Sequence, residues 1–410
     1  MQDARQPKQK KSAAFKVQKV NRFAMSFLYH VIRCYLSLCG VRVKTHNKIG
    51  KPETPAIVLC NHGSFMDFMY AAALLRKSRP NFVVARLYFY NTWLRWALKL
   101  VGAFPKSMFV LDTESTKNCL RVLKNKGVLV MMPEARLSTV GRFEDIQPNT
   151  YSFLKKTGAN IYTVKICGDY FADPKWGKGF RRGSVVEAEL DLLCTAQQLE
   201  NISTQQLRQQ VEEQLYYDEF KWLAERPYIH YRSKKMAEGL ENILTTCPDC
   251  GEKYTLATKR DRIFCESCGM RISMNRRYSF PEDFRFPNFA CWYEWQRECL
   301  EAQIKADPNY TLTAKVQLRL PGNGRGLTRY SGNGSCTLSR EGLAYTGTRD
   351  GENVELTFPI SQVYRLLFGA GENFEIYDGT RILYFVPEEK RSAVEWYMAS
   401  RYLHDITGKE

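Results

Sequence analysis

The chain of 410 residues has no uninterrupted run of about 18–20 apolar residues, the length a membrane-spanning helix requires. The best stretch, Phe23 to Val43, is broken by Arg33 and Arg42. The opening MQDARQPKQKKS lacks the apolar segment and cleavage site of a secretory leader. Histidine is scarce, at five residues, and acids are outnumbered, 43 against 60 Lys and Arg. The thirteen cysteines are odd in number, and without a leader they argue against a disulfide framework and for a reducing compartment. There are no internal repeats, and low complexity is confined to the basic tip. We therefore expect a cytoplasmic protein, peripheral on the cytoplasmic face of a membrane.

What is present is a strong positive charge, formally +17, and it is uneven. Residues 1–50 carry eleven Lys and Arg against one acid, Asp3. Such an arm either seeks an anionic surface or is a solvated tail. The segment Phe23 to Val43 places Phe23, Phe27, Leu28, Val31, Ile32, Tyr35 and Leu38 at roughly one helical face. It reads as a helix lying in the headgroup plane or as one packed on its own domain. A second stretch, Trp93 to Val101, mixes Trp93, Leu94, Trp96 and Leu100 with Arg95 and Lys99 and leaves the same two readings.

The organisation divides into a basic arm (1–22), an α/β region with its interfacial helix (23–240), a cysteine-bearing segment (241–279) and a β-rich region ending in a helix (280–410). In the α/β region short apolar runs, Ala56–Cys60, Phe82–Ala85, Val128–Met132 and Ile161–Ile166, alternate with helical patterns at 69–77, 92–100, 115–125 and 148–157. That alternation predicts a mostly parallel sheet. Residues 204–236 read as helical with a break at Pro227. Beyond a helix at 289–305, strands are expected at 311–320, 334–339, 343–347, 353–359, 373–377 and 380–386, with turns at Gly- and Asn-rich points such as SGNG. A last helix, 388–405, completes what resembles a pleckstrin-homology (PH) or GRAM-type barrel.

Chemistry concentrates in IVLCNHGSFMD, 57–67. An apolar strand ends in Asn61 and His62, and Asp67 follows five positions after the histidine. A carboxylate one turn away can accept a proton from one imidazole nitrogen and stabilise the imidazolium when the other acts as general base on a hydroxyl. Taken alone, this spacing also fits a structural histidine. A second strand end, Pro133-Glu134-Ala135-Arg136-Leu137-Ser138, offers a carboxylate and a guanidinium suited to phosphate. Glu134 would orient either that arginine or a substrate hydroxyl. Between them Gly102-Ala103-Phe104-Pro105-Lys106 adds a further cation.

In this order the residues resemble the glycerophospholipid acyltransferase family, typified by lysophosphatidate acyltransferases, over about residues 20–195. The family's Asn-His-x4-Asp motif matches Asn61, His62 and Asp67. Its second motif is met by Gly102, Phe104 and Lys106, where the family usually has Arg. Its third, commonly Phe-Pro-Glu-Gly-Thr-Arg-Ser, is met with departures by Met132 to Ser138: Ala135 stands for the glycine, and Arg136 comes one place early. A variant in acyl-glycerophosphoethanolamine acyltransferases looks closer to this third motif. The fourth, an apolar strand ending in Val-Pro, corresponds to Ile161–Val164 followed by Lys165. The resemblance implies a glycerolipid acyltransferase-like α/β fold and catalysis by His62 and Asp67. It also implies substrate contacts from Asn61, Gly102, Phe104, Lys106, Glu134 and Arg136. The donor would be acyl-CoA or acyl-ACP, the latter bringing acyl carrier protein as a partner, and the acceptor a lysophosphatidate-type glycerophospholipid. Glycerol 3-phosphate or another lysophospholipid remains an alternative.

Two CxxC knuckles, Cys247/Cys250 and Cys265/Cys268, stand fourteen residues apart, the spacing of a four-cysteine zinc ribbon. Four thiolates fill a tetrahedral zinc and leave no open position, so the metal is expected to be structural. The glycine after each second cysteine permits a tight turn. A competing reading makes the basic arm and the ribbon a non-catalytic membrane- or nucleic-acid-binding module. The ribbon has few of the basic-aromatic runs a nucleic-acid binder uses, so nucleic acid is not an expected partner.

Overall fold

In Ala56–Cys60 every side chain is buried, and alternate residues enter different cores. Ala56, Val58 and Cys60 pack on one face with Met25, Ile32, Met66 and Tyr70. Ile57 and Leu59 pack on the other with Val122, Tyr151, Leu154 and Val211. A strand covered on both faces needs a continuous apolar run, and the sequence AIVLC supplies one. The computed structural model describes residues 15–322, 324 and 326–407, so the tip of the expected basic arm, 1–14, lies outside the described residues.

The first sheet has strands β1 (Arg42–Asn47), β2 (Ala56–Cys60), β3 (Asn81–Ala85), β4 (Phe104–Lys106), β5 (Val128–Met131), β6 (Asn160–Cys167) and β7 (Val185–Cys194). Their spatial order is β1-β7-β6-β2-β5-β3-β4. All neighbours are parallel except β6 and β7. Helices α1 (Arg22–Leu38), α2 (Asp67–Leu74) and α3 (Thr92–Leu100) contribute to one face. Helices α4 (Thr113–Lys124), α5 (Pro148–Thr157), α7 (Ala196–Asn201) and α8 (Thr204–Leu215) cover the other, and α6 (Asp169–Ala172) and α9 (Glu219–Ala224) are short. The expected mostly parallel α/β sheet is thus present, with three strands, β1, β4 and β7, that the apolar-run reading overlooked. One of them, β1, is the exposed polar edge RVKTHN.

The helical reading of 204–236 fails beyond Leu215. Asp218 there accepts the N–H groups of Phe220 and Lys221 and starts the separate α9, so the break comes well before Pro227.

Strands β8 (Leu256–Lys259), β9 (Arg262–Cys265) and β10 (Arg271–Ser273) form a small antiparallel sheet. After α10 (Phe289–Ala306) come β11 (Leu312–Pro321), β12 (Thr328–Leu338), β13 (Gly342–Arg349), β14 (Glu352–Pro359), β15 (Leu367–Gly369), β16 (Asn373–Asp378) and β17 (Arg381–Pro387). This second seven-stranded sheet has the order β14-β13-β12-β11-β17-β16-β15, with every ladder antiparallel, and ends in α11 (Ala393–Thr407). The SGNG expected as a turn lies inside β12. Its glycines allow close cross-strand approach: a Cβ on Gly332 would sit 2.0 Å from the Thr348 carbonyl oxygen. The final helix begins at Ala393, after a 3₁₀ turn, rather than at 388.

These regions do not keep separate cores. One buried cluster joins Tyr170 and Trp222 of the first region, Cys247, Ile263 and Met270 of the cysteine segment, and Trp292, Phe374 and Trp396 beyond it. Burial of this kind stabilises at roughly 25 cal/mol per Å² of apolar surface, so the cysteine segment and the second sheet fold against the first region.

Candidate active site

Parallel strands β2 and β5 lie side by side, so their carboxyl ends open into adjacent loops, where α/β folds build sites. The Ser138 N–H donates to the His62 carbonyl (2.9 Å), and the His62 N–H donates to Glu134 Oε1 (2.9 Å). The two motifs seen in the sequence, seventy residues apart, are therefore stitched together directly.

His62 Nδ1 lies 2.9 Å from Asp67 Oδ2. Asp67 also accepts the Ser64 N–H on both oxygens (3.2 Å each), which locks the carboxylate at the start of α2. With Nδ1 committed to Asp67, Nε2 is the imidazole nitrogen left for a substrate. Burial lowers the imidazole to about 4 and raises Asp67 to about 7. The ring is thus neutral at neutral pH, the state a general base needs.

Behind Asp67 lie acids the sequence did not single out. Asp169, just after β6, is fully buried beside Asp67 and Glu219. No conventional donor among the described residues reaches either of its oxygens. Carboxyl groups bond to one another only through a shared proton. Burial lifts Asp169 and Glu219 well above the carboxylate range, which keeps that proton in place. Glu219 is held by the Gly168 N–H (2.7 Å to Oε2). A spacing-based signal for Asp169 is absent, because it stands about a hundred residues from Asp67.

His62 lines a cavity of about 1010 Å³, close to the upper end of ordinary ligand sites. Apolar side chains such as Phe65, Met69, Leu94 and Met131 dominate its wall, and Lys106 and Arg136 are among its cations. Arg136 Nη2 is 2.5 Å from Glu144 Oε2, and its guanidinium stacks 4.4 Å from the centre of the Tyr397 ring. Nε and Nη1 of Arg136 have no hydrogen-bond partner among the described residues.

The other four expected substrate contacts lie behind this wall and support it. The Asn61 amide exchanges hydrogen bonds with the Ile166 backbone (2.8 and 2.7 Å), extending the β2–β6 pairing by one side chain. Gly102, at φ +72°, ends α3 and admits Asn81, whose amide donates to its carbonyl (2.7 Å). Phe104 is fully buried in the core on the far face. Glu134, expected to orient Arg136 or a substrate hydroxyl, has no hydrogen bond to Arg136 among the described residues; Arg136 pairs with Glu144 instead. Besides His62, it accepts the Glu144 N–H (2.9 Å) and the Tyr217 hydroxyl (3.4 Å). Ala135, standing where the resemblance expects glycine, takes the left-handed conformation (φ +60°).

The four cysteine sulfurs lie within 4.8 Å of one another, with Cys247–Cys268 at 3.7 Å and Cys250–Cys265 at 3.8 Å. A tetrahedron of bonds of about 2.3 Å to sulfur has edges of about 3.8 Å, so the set fits a metal ion. Gly251 and Gly269 turn at positive φ (76° and 80°) after each knuckle.

Residues 41–167 match a family model described as Acyltransferase. A crystal structure of the 1-acyl-sn-glycerophosphate acyltransferase PlsC from Thermotoga maritima is similar at 18% identity and a TM-score of 0.39, over 47% of this chain and 76% of that one. No curated protein sequence matches the chain. With His62, Asp67 and Arg136 all inside the matched span, residues 41–167 form a domain of the Acyltransferase family.

Proposed function

We propose that the protein transfers a fatty acyl group from acyl-CoA or acyl-ACP to the free hydroxyl of a lysophosphatidate-type glycerophospholipid. The observation that carries this reading is the His62–Asp67 pair at 2.9 Å, on the wall of a largely apolar cavity that also holds Lys106 and Arg136. His62 Nε2 takes the proton of the acceptor hydroxyl as its oxygen attacks the thioester carbonyl. Asp67 stabilises the imidazolium that forms. Collapse of the tetrahedral intermediate breaks the carbon–sulfur bond, and the imidazolium returns its proton to the departing thiolate. General base catalysis of this kind contributes about 10²–10⁴-fold. Lys106 and Arg136 attract the acceptor phosphate.

The substrates are proposed to arrive from an anionic membrane surface on the cytoplasmic side. No helix among the described residues is long and apolar enough to cross a membrane. Helix α1 is apolar on two faces: Met25, Ile32 and Leu36 are buried, while Phe23 (84%) and Phe27 (73%) are exposed. Trp93 (72%) and Leu111 (88%) are exposed and also reach the cavity lining. Exposed aromatics beside a lipid-sized cavity suit the headgroup region. In the four-cysteine site we propose structural zinc, held by Cys247, Cys250, Cys265 and Cys268.

The test is acyl transfer from a radiolabelled acyl thioester to a panel of lysophospholipids, wild type beside His62→Ala. Product that falls by about 10³-fold or more in the variant supports the reading. Equal activity in both, or none with either donor, refutes it.

A further inference from the structure

One wall of the cavity comes from outside the acyltransferase domain. β15 and β16 place Leu367, Phe368, Glu375 and Tyr377 on its lining. Along β16, Phe374 and Ile376 enter the core of the second sheet, so pleat alternation sends Glu375 to the opposite face, toward the site. From the first region the loop after α6 brings Lys175 onto the same lining, its Nζ 3.5 Å from the centre of the Phe368 ring.

The Glu375 carboxylate has no hydrogen bond or ion pair among the described residues, Lys175 included, and Lys175 Nζ meets the Phe368 ring instead. Both residues are half-buried, and an unpaired charge facing a largely apolar wall costs more than a hydrocarbon side chain would there. Burial lowers Lys175 to about 7 and raises Glu375 to about 7, as expected of charges lacking partners. His62, Arg136, Lys175 and Glu375 all line this one cavity. A base, cations and a carboxylate on a shared wall match the reacting hydroxyl, the phosphate and the ammonium of a zwitterionic glycerophospholipid.

We propose that Lys175 and Glu375 form a headgroup subsite for a lysophospholipid whose phosphodiester carries an ammonium group, with Lys175 joining Lys106 and Arg136 at the phosphate and Glu375 taking the ammonium. This rests on the acyltransferase reading and narrows its acceptor. A phosphate monoester would leave Glu375 facing added negative charge. The second sheet would then be a specificity wall rather than an appendage.

The experiment measures binding to the full chain without thioester, so no turnover occurs. The ligands are micellar 1-acyl-glycerophosphoethanolamine, 1-acyl-glycerophosphopropanol, in which a methyl replaces the ammonium, and 1-acyl-glycerol 3-phosphate. We expect the ethanolamine lipid to bind about tenfold or more tightly than the propanol lipid, a difference of about 1.4 kcal/mol. Glu375→Gln should erase that preference, and Lys175→Met should weaken both phosphodiesters. Equal binding of the ethanolamine and propanol lipids by the unmodified chain overturns the subsite without any variant. So does a Glu375→Gln chain that loses affinity for all three ligands alike. Failure of every acceptor in the turnover assay counts against the acyltransferase reading instead, and leaves the binding preference to decide the subsite.

Discussion

The two seven-stranded sheets divide the labour unequally. In the first, parallel strands deliver their chemistry at carboxyl ends: His62 after β2, Arg136 after β5, Asp169 after β6 and Lys106 at the end of β4. In the second, antiparallel strands end in turns that hold no comparable cluster among the described residues. Its contribution is made by faces: Glu375 and Tyr377 from β16, and Tyr397 from α11 stacked on Arg136. Asp145 joins the halves again, 2.6 Å from Arg401 and 3.5 Å from Arg365. The difference teaches that the motif residues gather at strand ends of the first sheet, while the second region meets them through its faces.

The largest expected effect breaks the joint between the halves. Cys247 and Cys265 sit in the same buried cluster as Trp292 and Trp396. Structural zinc contributes roughly 10–16 kcal/mol in small metal domains, comparable to the whole stability of a typical fold. Chelation, or Cys265→Ser, should release one metal ion per chain and unfold the C-terminal core. Metal analysis beside tryptophan fluorescence checks this, and an unchanged melting curve after complete chelation would sink it.

Next in size is the acid limb of the pH profile. Asp67, raised to about 7, orients the imidazole only when ionised, so kcat/KM should rise with pH through about 7 and then level off. Asp67→Asn should remove that limb along with about 10²-fold or more of the activity. For stability the sign is opposite. Folded-state values of about 7 for Asp67 and about 8 for Glu134 lie above their ordinary 3.8 and 4.5. Their contribution is therefore full below about pH 4 and lost as pH rises through 7–8.

Tyr397→Leu tests whether the second region tunes the first. Losing a cation–π contact of about 0.5–2 kcal/mol should raise the acceptor KM about two- to thirtyfold, with a smaller change in kcat. Steady-state kinetics at saturating donor measure it, and an unchanged KM would confine the β-rich region to the cavity wall. The smallest effect is expected at Ala135. Replacing it by glycine relieves a left-handed strain of about 1–2 kcal/mol but adds unfolded-state freedom of about 0.5–1 kcal/mol. A net gain of up to about 1.5 kcal/mol should appear in denaturant melts, and a clear loss would mean the alanine methyl packs usefully.

The sequence alone carried the parallel α/β class, the His62–Asp67 pair, the two knuckles and most elements of the β-rich region. Each depends on short-range regularities: an apolar run before a polar loop, a turn of helix between base and acid, fixed spacing between thiols. Glycines misled where they served close strand approach in β12 instead of a turn. Only the tertiary structure decided which motif residues face the cavity. Asn61, Gly102, Phe104 and Glu134 hold its wall from behind, while Lys106 and Arg136 line it. Asp169, Lys175 and Glu375 joined the site with no local signal, because strand order and the packing of the second sheet, not sequence distance, set what lies beside His62.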